Sequence, residues 1–392
     1  MKGDSIMRTR EAVLTAARKG AEKYAGEQLE MLRRLSEIDH GTGNIEGNRQ
    51  VIEQMDALFA TMDIAVEYPE NPGRGRHVVA RIKPERSTGK VIINSHLDTV
   101  FKPGDAAAHP FRIEGDIAYG LGIADCLGGF VVSCYAVKIM QQAGMLPDKE
   151  IVMIYNSDEE IGSPSGRSIF QQEAKDAQMA FVFEPAREEN GILTYRKGVA
   201  ACKLEVFGKE AHAGLKYTEG RSATVELAHQ ILALNAMNDP KTEKFYNVGP
   251  LTGGKGAGIV AGHASADIMI SLADNDSFSQ VCADMERLEK NIMVDGCTVK
   301  ASADMIFPPM EHTAGNVSVY EIVHEAGLQM GVDYPEQFSA GSSDACYFTT
   351  YGVPTVDGLG PYMYDIHTFN ERLVISSIQQ KTQLFAVVLG NL

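Results

Sequence analysis

The sequence has few positive charges, no long apolar run and no apolar leader. Its 36 Lys and Arg residues are outnumbered by 52 Asp and Glu, and the net charge is −16. A surface this acidic argues against nucleic acid and anionic membranes, so we expect neither as a partner. No stretch approaches the roughly eighteen apolar residues of a membrane span, and residues 1–19 carry charges throughout. We therefore expect no signal peptide and a cytoplasmic protein.

Cysteine pairs are also missing. The 6 cysteines are scattered, and none has the C-x-x-C spacing of a thiolate metal site. At a length of 392 residues a disulfide framework is not expected either. We interpret these cysteines as buried free thiols in a reducing compartment.

The chain is too long for one ordinary core, which predicts two domains. Apolar runs at residues 91–93, 151–155 and 179–183 are typical of strands buried on both faces of a mostly parallel sheet, and helical patterns lie between them. We expect a long irregular stretch at 99–122. The alternation of apolar runs with helical patterns predicts an α/β fold in which helices flank a central sheet.

The pattern changes near Gly198. Residues 199–206 alternate between apolar and polar, which predicts an antiparallel strand with one exposed face. A β-α-β-β-α-β layout follows, typical of a small ferredoxin-like α+β domain. We predict one domain formed by residues 1–197 and 308–392, and a second, inserted domain at 198–307.

Each of the three apolar strands ends in side chains suited to metal binding. His96 and Asp98 follow the first strand, residues 158–160 (Asp-Glu-Glu) the second, and Glu184 the third. Ligands of open α/β sheets bind outside the carboxyl ends of the strands. Residues i and i+2 of a strand share a face, which suits an imidazole ligand with a carboxylate that orients it. Consecutive acids at the end of a buried strand need compensating cations.

Each of these features also has an ordinary structural interpretation. His96 and Asp98 can form a surface pair, and residues 158–160 can form a solvated acidic loop. Asp125 lies between glycines that let the backbone approach a ligand, yet Asp is also a common helix cap. The local patterns leave these alternatives open.

Several motifs, in order along nearly the whole chain, resemble those of the M20 metallopeptidases, the group of glutamate carboxypeptidase, aminoacylase and succinyl-diaminopimelate desuccinylase. They are Ser95-His96-Leu97-Asp98, Gly122-Ile123-Ala124-Asp125, Asp158-Glu159-Glu160, Phe183-Glu184-Pro185, the histidine motif Gly208 to Gly214, Ser343-Asp344-Ala345, Gly360-Pro361, and His367 with Asn370-Glu371. Each motif is weak alone, and the set is specific.

The resemblance implies a dinuclear metal site. His96 and Glu184 would hold one divalent ion, Glu160 and His367 the other, and Asp125 would bridge them. Zn²⁺ is the expected metal, with Co²⁺ or Mn²⁺ as alternatives.

The resemblance also implies three catalytic residues. Glu159 would be the general base and then the acid, and Asp98 would orient His96. The inserted domain would be a lid and a dimerisation domain, with His212 stabilising the oxyanion, often across a homodimer. We assign no role to the remaining histidines, among them His40 and His109.

The chain departs from the family where substrates are recognised. Gly258 stands where glutamate carboxypeptidases carry Asn, and Ser271 and residues 305–307 (Met-Ile-Phe) stand where lid strands carry substrate-binding arginines. An Arg fork is not replaced by Ser or Met. The substrate-binding candidates are Lys255, Gly258, Ser343 and Asp344, with Arg187 or Arg196 as compensating cations.

These features predict a metal-dependent hydrolase that cleaves an amide bond of a small substrate with atypical recognition. One alternative is an aminohydrolase or deaminase that releases ammonia from a non-peptide amine, aromatic amines included. The other is a non-catalytic metal-binding scaffold, against which the presence of Glu159 argues.

Overall fold

The computed structural model describes residues 9–186 and 190–392. It divides into two compact units. Unit 1 comprises Met1–Thr194, His312–Phe338 and Ser343–Leu392, and unit 2 comprises Tyr195–Glu311 and Ser339–Ser342. Unit 2 contains the whole predicted insertion at 198–307, and the predicted domain limits themselves stay a prediction.

Unit 1 is built on a six-stranded sheet. In spatial order the strands are β1 (Ala65–Glu67), β4 (Val78–Ile82), β8 (Glu150–Asn156), β5 (Lys90–His96), β9 (Ala177–Val182) and β18 (Thr355–Val356). The pairs β5–β8, β5–β9 and β9–β18 are parallel, whereas β4 runs antiparallel to β1 and β8. Strands β5 and β8 are buried from their second residue onwards, as their continuous apolar runs predict. The predicted α/β class with a mostly parallel central sheet is confirmed.

Helices surround this sheet. They are α1 (Arg10–Ser36), α2 (Ile45–Phe59), α3 (Asp105–Ala108), α4 (Gly129–Gln142), α5 (Gly166–Ala174), α8 (Ala314–Gln329), α9 (Ala345–Thr350) and α10 (Ile375–Asn391). Thr9 begins α1 by accepting a hydrogen bond from the N–H of Ala12, and Asn44 begins α2 in the same way through Gly47.

One stretch of unit 1 is more apolar than the sequence analysis recognised. Ile123–Gln142 is long and apolar enough to cross a membrane by length and composition, with a mean hydropathy of 1.6. The most apolar part of this stretch is entirely buried inside the structure, as in the core helix of a soluble protein. The expectation that no stretch approaches a membrane span was therefore wrong on composition.

A second, small antiparallel sheet of unit 1 was not expected. Its strands are, in spatial order, β19 (Met363–Tyr364), β20 (Arg372–Val374), β7 (Ile117–Tyr119) and β6 (Arg112–Glu114). The stretch at 99–122 is therefore not irregular throughout. Elements of two or three residues are too short to leave a periodic hydrophobic signal. Other short strands of the chain are β2 (Glu70–Asn71), β3 (Gly75–Arg76), β10 (Ile192–Arg196) and β17 (Glu336–Ser339).

Unit 2 has a four-stranded antiparallel sheet with two helices. The strand order is β13 (Tyr246–Gly253), β15 (His263–Leu272), β11 (Gly198–Phe207) and β16 (Thr298–Phe307), and the helices are α6 (Ala223–Ala236) and α7 (Asn275–Lys290). Along the chain these elements follow the predicted β-α-β-β-α-β layout. The buried and open residues of β11 alternate, as its sequence predicts. The short strands β12 (Ala211–His212) and β14 (Ile259–Val260) pair beside this sheet.

Candidate metal centre

Donor side chains gather where three neighbouring strands of unit 1 end. His96 is the last residue of β5, Glu159 and Glu160 begin a 3-10 turn after β8, and Glu184 follows β9 by two residues. Parallel pairing of β5 with β8 and β9 places these three ends at one edge of the sheet. This edge is where α/β sheets bind ligands.

Asp125 reaches the same place from a tight loop. It lies in a π-helical turn, Ile123–Gly128, directly before α4, and its peptide bond to Cys126 is cis. The loop begins at Gly122, whose φ of +67° is left-handed. A Cβ at Gly122 would lie 2.5 Å from Cγ2 of Thr99, so the position requires glycine.

Each carboxylate oxygen of Asp125 faces a different histidine. Oδ1 lies 2.9 Å from Nε2 of His96, and Oδ2 lies 3.2 Å from Nε2 of His367. Glu184 lies 3.7 Å from the first histidine, and Glu160 lies 3.3 Å from the second. Asp125 therefore belongs to two donor groups at once.

The two groups have donor atoms close enough to share an ion. His96, Asp125, Cys126 and Glu184 form one group, and Asp125, Glu160 and His367 form the other; within each group all donor atoms lie within 4.8 Å of one another. From its sequence context Cys126 was predicted only to be a buried thiol. Its Sγ donates to the backbone oxygen of Phe183 at 3.0 Å, and a long-range contact of this kind leaves no local sequence signal.

The electrostatics of these donor side chains favour the binding of cations. Burial raises the pKa of Glu159 well above its ordinary value and also raises that of Glu160. Oε1 of Glu160 is buried and has no hydrogen-bond partner within the described residues. Hydrogen bonds to Asp125 and Glu160 raise the pKa of His367 to about 10. Buried acids that attract protons this strongly, with one oxygen left over, fit a site for divalent metal ions.

His367 lies on a strained loop between β19 and β20. Its φ is +62°, and that of Asp365 is +50°, both in the left-handed region that non-glycine residues rarely adopt. Arg372 pairs with Asp365 and also donates to the backbone oxygen of Asn370. These bonds hold the backbone in the conformation that turns the imidazole towards Asp125 and Glu160. Strain of this kind is common at functional sites.

Asp98 organises the acidic turn more directly than it orients His96. Its Oδ1 accepts the backbone N–H of Glu159 at 3.0 Å, and its Oδ2 accepts the N–H of Glu160 at 3.3 Å and the hydroxyl of Thr42 at 2.7 Å. Nδ1 of His96 lies 3.0 Å from the backbone oxygen of Asp98 and 3.5 Å from its carboxylate. The carbonyl, not the carboxylate, is therefore the nearer partner of the imidazole.

Glu371 is a further residue of the centre to which the sequence analysis gave no role. It is 1% exposed, and its carboxylate accepts the backbone N–H groups of Gly122, Ala124 and Asp125 at 2.9–3.1 Å. Burial raises the pKa of this carboxyl to about 8. The only sequence signal was its position four residues after His367 in the Asn-Glu motif.

Two residues proposed to bind substrate are instead part of the interior. Ser343 and Asp344 are 0% and 1% exposed. Ser343 donates its hydroxyl to Asp357, and Asp344 accepts hydrogen bonds from Ser163 and from Asn156. Their assignment as substrate contacts is corrected, because both side chains are buried and bonded below the acidic turn of Glu159.

Unit 2 holds the other predicted site residues. His212 is exposed on β12, and its Nδ1 accepts the backbone N–H groups of Gly214 and Leu215, each at 3.2 Å. Lys255 pairs with Glu210 at 2.8 Å, and the backbone oxygen of Gly258 accepts the N–H of Ala213.

Of the two arginines named as compensating cations, only Arg196 lies among the described residues. Arg196 is buried, and its Nη1 donates to the backbone oxygen of Gly341 at 2.8 Å. It is therefore engaged inside unit 2. Arg187 lies outside the described residues.

Comparison with known proteins identifies the family. The model of peptidase family M20/M25/M40 matches residues 92–391. The chain belongs to this family. It is therefore a metal-dependent hydrolase of the peptidase and amidohydrolase type, and the predicted resemblance, enzyme class and action on amide bonds are confirmed.

Individual relatives cover nearly the whole chain. Carboxypeptidase G2 of Pseudomonas sp. (strain RS-16) is 28% identical over 93% of this chain and 89% of its own length. Among solved structures, aminopeptidase PepT of Bacillus cereus has a TM-score of 0.76 at 20% identity, covering 93% of this chain and 98% of that one. YXEP of Bacillus subtilis, described as a dinuclear metal binding peptidase of the M20 family, has a TM-score of 0.69 at 12% identity, covering 94% and 98%. At these identities the structures show the fold alone.

Proposed function

We propose that this chain is a dinuclear metal-dependent hydrolase of an amide bond in a small substrate. The observation that carries the proposal is the placement of Asp125, whose two oxygens face His96 and His367 separately. A carboxylate with one oxygen in each of two donor groups is suited to bridge two ions.

The remaining ligands follow from the same geometry. His96 and Glu184 would hold one ion, and Glu160 and His367 the other. Imidazole and carboxylate donors suit Zn²⁺, with Co²⁺ or Mn²⁺ as alternatives. Bound there, the ions would supply Lewis acidity towards the amide carbonyl and the attacking water.

Glu159 is the group best placed to move the proton. It is 8% exposed, its Oε2 lies 4.0 Å from Nε2 of His96, and Asp98 fixes its backbone. As a water molecule attacks the carbonyl carbon, Glu159 takes a proton from that water molecule. When the C–N bond breaks, Glu159 gives that proton to the leaving nitrogen.

His212 is the proposed donor to the developing oxyanion. Because its Nδ1 accepts two backbone N–H groups, the ring proton of the neutral imidazole lies on Nε2. An Nε2–H group is the donor that an oxyanion requires.

The substrate that we propose differs from a peptide with a free carboxyl terminus. The lid carries Gly258 and Ser271 where carboxypeptidases of the family carry Asn and Arg, Arg196 is engaged with backbone, and Lys255 is paired with Glu210. None of these arrangements supplies the bidentate fork that a substrate carboxylate prefers.

We also propose a homodimer formed through the inserted domain, in a cytoplasmic protein. The open face of α6 supports the dimer, because Val225 and Leu232 are 45% and 66% exposed, with Ala228 and Ala236 exposed on the same face. Light scattering should give twice the chain mass, and Leu232→Lys should shift it to the monomer. A monomeric wild type would contradict this proposal.

Metal analysis and a substrate panel test the function together. Wild type should carry about two ions per chain. The panel contains N-acyl amino acids, dipeptides and the uncharged carboxamides of both. Glu159→Gln should keep the metal and lose nearly all turnover of the amides that the wild type hydrolyses, whereas Glu53→Gln, at an exposed glutamate of α2, should change neither. Ammonia is assayed separately with aromatic amines. Metal-free wild type, or unchanged turnover in Glu159→Gln, would overturn the proposal.

A further inference from the structure

Unit 1 contains a cavity of about 520 Å³ that is lined by helix α2 and by residues 68–76, and none of its lining residues belongs to either donor group. Pockets that hold a small organic molecule measure about 300–1,000 Å³, so a ligand of this size fits. Ile45, Ile52 and Pro72 give the cavity an apolar part, and Tyr68 adds an aromatic ring. The polar residues of the lining then decide which chemical class of ligand is preferred.

Asn48 holds the two walls of this cavity together. From α2, its side chain accepts the backbone N–H of Arg76 at 2.8 Å and donates to the backbone oxygen of the same residue at 3.1 Å. Gly75 has a φ of +109°, and a Cβ there would lie 2.4 Å from Oδ1 of Asn48, so the close approach of the two walls requires glycine. The walls are thus positioned by contacts within the chain, as in a preformed binding site.

The arginines of the lining already have carboxylate partners. Arg49 pairs with Glu46 and Glu53 along α2, and Arg76 pairs with Glu70 at 2.9 Å. Their positive charges are balanced within the chain, and an anionic ligand would have to displace a glutamate. The lining therefore does not favour an anion.

Asp56 is a carboxylate of the lining that has no cationic partner within residues 9–186 and 190–392. Its Oδ1 accepts the hydroxyl of Tyr68, which leaves Oδ2 available. Burial and this hydrogen bond raise the pKa of Tyr68 to about 12, so the hydroxyl remains a donor at neutral pH. A partly buried carboxylate attracts a cation more strongly than one in bulk water, because its surroundings screen the charge less. Asp56 therefore favours a positively charged ligand.

Asn71 adds a second acceptor to the same lining. It is 1% exposed, and its Oδ1 is buried and has no hydrogen-bond partner within the described part of the chain. Its Nδ2 donates to the hydroxyl oxygen of Ser157 at 3.1 Å and to the backbone oxygen of Ser157 at 3.4 Å, so the amide end without a partner is the oxygen. A buried oxygen without a donor is costly, and a ligand with N–H groups satisfies it.

We propose that this cavity binds a small organic ammonium ion with an apolar body. The charged group pairs with the carboxylate of Asp56 and donates an N–H group to Oδ1 of Asn71. The apolar body lies against Ile45, Ile52 and the ring of Tyr68, and this ring also attracts the cation. The inference is independent of amide hydrolysis, because none of these residues has a role in the proposed reaction.

Calorimetric titration of the metal-loaded protein tests the site with hexylammonium and with hexan-1-ol, which has a similar length and no charge. Hexylammonium should bind once per chain and about tenfold more tightly than the alcohol. Asp56→Asn keeps an acceptor for the Tyr68 hydroxyl but removes the charge, and should weaken hexylammonium binding about tenfold. No binding of hexylammonium, or equal affinity for the alcohol, would overturn the proposal.

Two further variants make the test specific. The chain carries a net charge of −16 and attracts any cation weakly, so Asp295→Asn, at an exposed aspartate of unit 2, is the control with the same change of charge. It should bind hexylammonium like the wild type, and a loss as large as that of Asp56→Asn would overturn the site.

Ile45→Ala tests the apolar part of the cavity at a residue that is 56% exposed, where folding should not be affected. It should lower the preference for hexylammonium over methylammonium several-fold. Melting temperatures show which variants fold. An amine held at the metal centre instead would keep its affinity in Asp56→Asn. Unchanged affinity in Asp56→Asn, or in Ile45→Ala if Asp56→Asn does not fold, would overturn the proposal.

Discussion

The carboxylate of Glu371 accepts the backbone N–H of Asp125 at 3.1 Å, and with it those of Ala124 and Gly122. The segment that carries His367 thereby holds the loop that carries Asp125, although the two lie far apart in the sequence. Both oxygens are used, one by Gly122 and the other by Ala124 and Asp125. Asp125, the residue common to both donor groups, is thus positioned by a side chain that does not itself belong to either group.

We expect Glu371→Gln to weaken metal binding. Glutamine keeps the shape but turns an NH₂ group towards N–H donors, so at least one of the three bonds is replaced by repulsion. Loss of a residue that orients metal ligands typically costs about 10- to 100-fold in affinity. Metal retention against a chelator measures the effect.

Glu53→Gln is the matched control, because Glu53 is exposed and pairs with Arg49 on the surface of α2. It should retain metal like the wild type. Wild-type affinity in Glu371→Gln would show that the loop holds its conformation without the carboxylate.

Substitutions at Asp98 and Thr42 should lower kcat/KM to different extents. Asp98→Ala removes the acceptor of the Glu159 and Glu160 N–H groups, so the turn that carries the proposed base loosens, and kcat/KM should fall about 10- to 100-fold. Thr42→Val removes only one hydroxyl from the same carboxylate, and a few-fold loss is expected. Steady-state kinetics with parallel metal analysis distinguishes a loss through Glu159 from a loss of metal. Equal effects of the two substitutions would refute the central place of Asp98.

The strand pattern predicted the parts of the centre that follow strands, and the family resemblance added Asp125 and His367. The roles of Cys126 and Glu371, which depend on long-range contacts, were missed. His96, Glu160 and Glu184 follow buried apolar runs, and parallel pairing then brings such strand ends together. The role of Glu371 depends on hydrogen bonds to a loop some 246 residues away, which no local pattern encodes. Ser343 and Asp344 were named as substrate-binding candidates, whereas here they bond to buried partners.

The small sheet illustrates the same limit for the fold. The residues of β6, Arg112–Glu114, are all exposed, so burial leaves no alternating pattern there. Its pairing depends on β7 and, through it, on β20, which lies beyond the strained loop of His367. This sheet therefore became visible only with the three-dimensional contacts.

Gly122 and Gly115 form a second matched pair. Both have left-handed φ, +67° and +64°, but a Cβ at Gly122 would meet Thr99 at 2.5 Å, and one at Gly115 would meet nothing within 4 Å. Gly115→Ala should cost about 1–2 kcal/mol, the usual penalty of that conformation. Gly122→Ala should cost a further 1–3 kcal/mol from crowding and should also reduce metal content, since the loop carries Asp125. Thermal unfolding and metal analysis of both variants check this, and equal losses of stability would contradict the crowding argument.

The buried Lys381 should make the stability of the protein depend on pH. It is 0% exposed in α10, donates to the backbone oxygen of Gly358 at 3.3 Å, and lies 5.0 Å from the ring of Tyr334 and 5.5 Å from that of Tyr362. Burial lowers the pKa of this lysine from 10.5 to about 7. Burial also raises the pKa of Tyr362 to about 12 and that of Tyr334 further, so neither neighbour titrates in the window where the lysine does.

The direction of this pH dependence follows from the number of protons that the folded and unfolded chains bind. Between pH 7 and 10.5 the unfolded chain holds a proton on Lys381 that the folded chain has released, so this residue makes the unfolding free energy rise with pH across that window. Lys381→Met should remove this contribution and stabilise the protein at pH 7 by roughly 1–3 kcal/mol, because an apolar side chain of similar length has no charge to desolvate. The difference in melting temperature between Lys381→Met and wild type, measured from pH 7 to pH 10, should shrink steadily as pH rises. A difference that stays constant would show that Lys381 keeps its proton in the folded protein, held by Gly358 and the two rings.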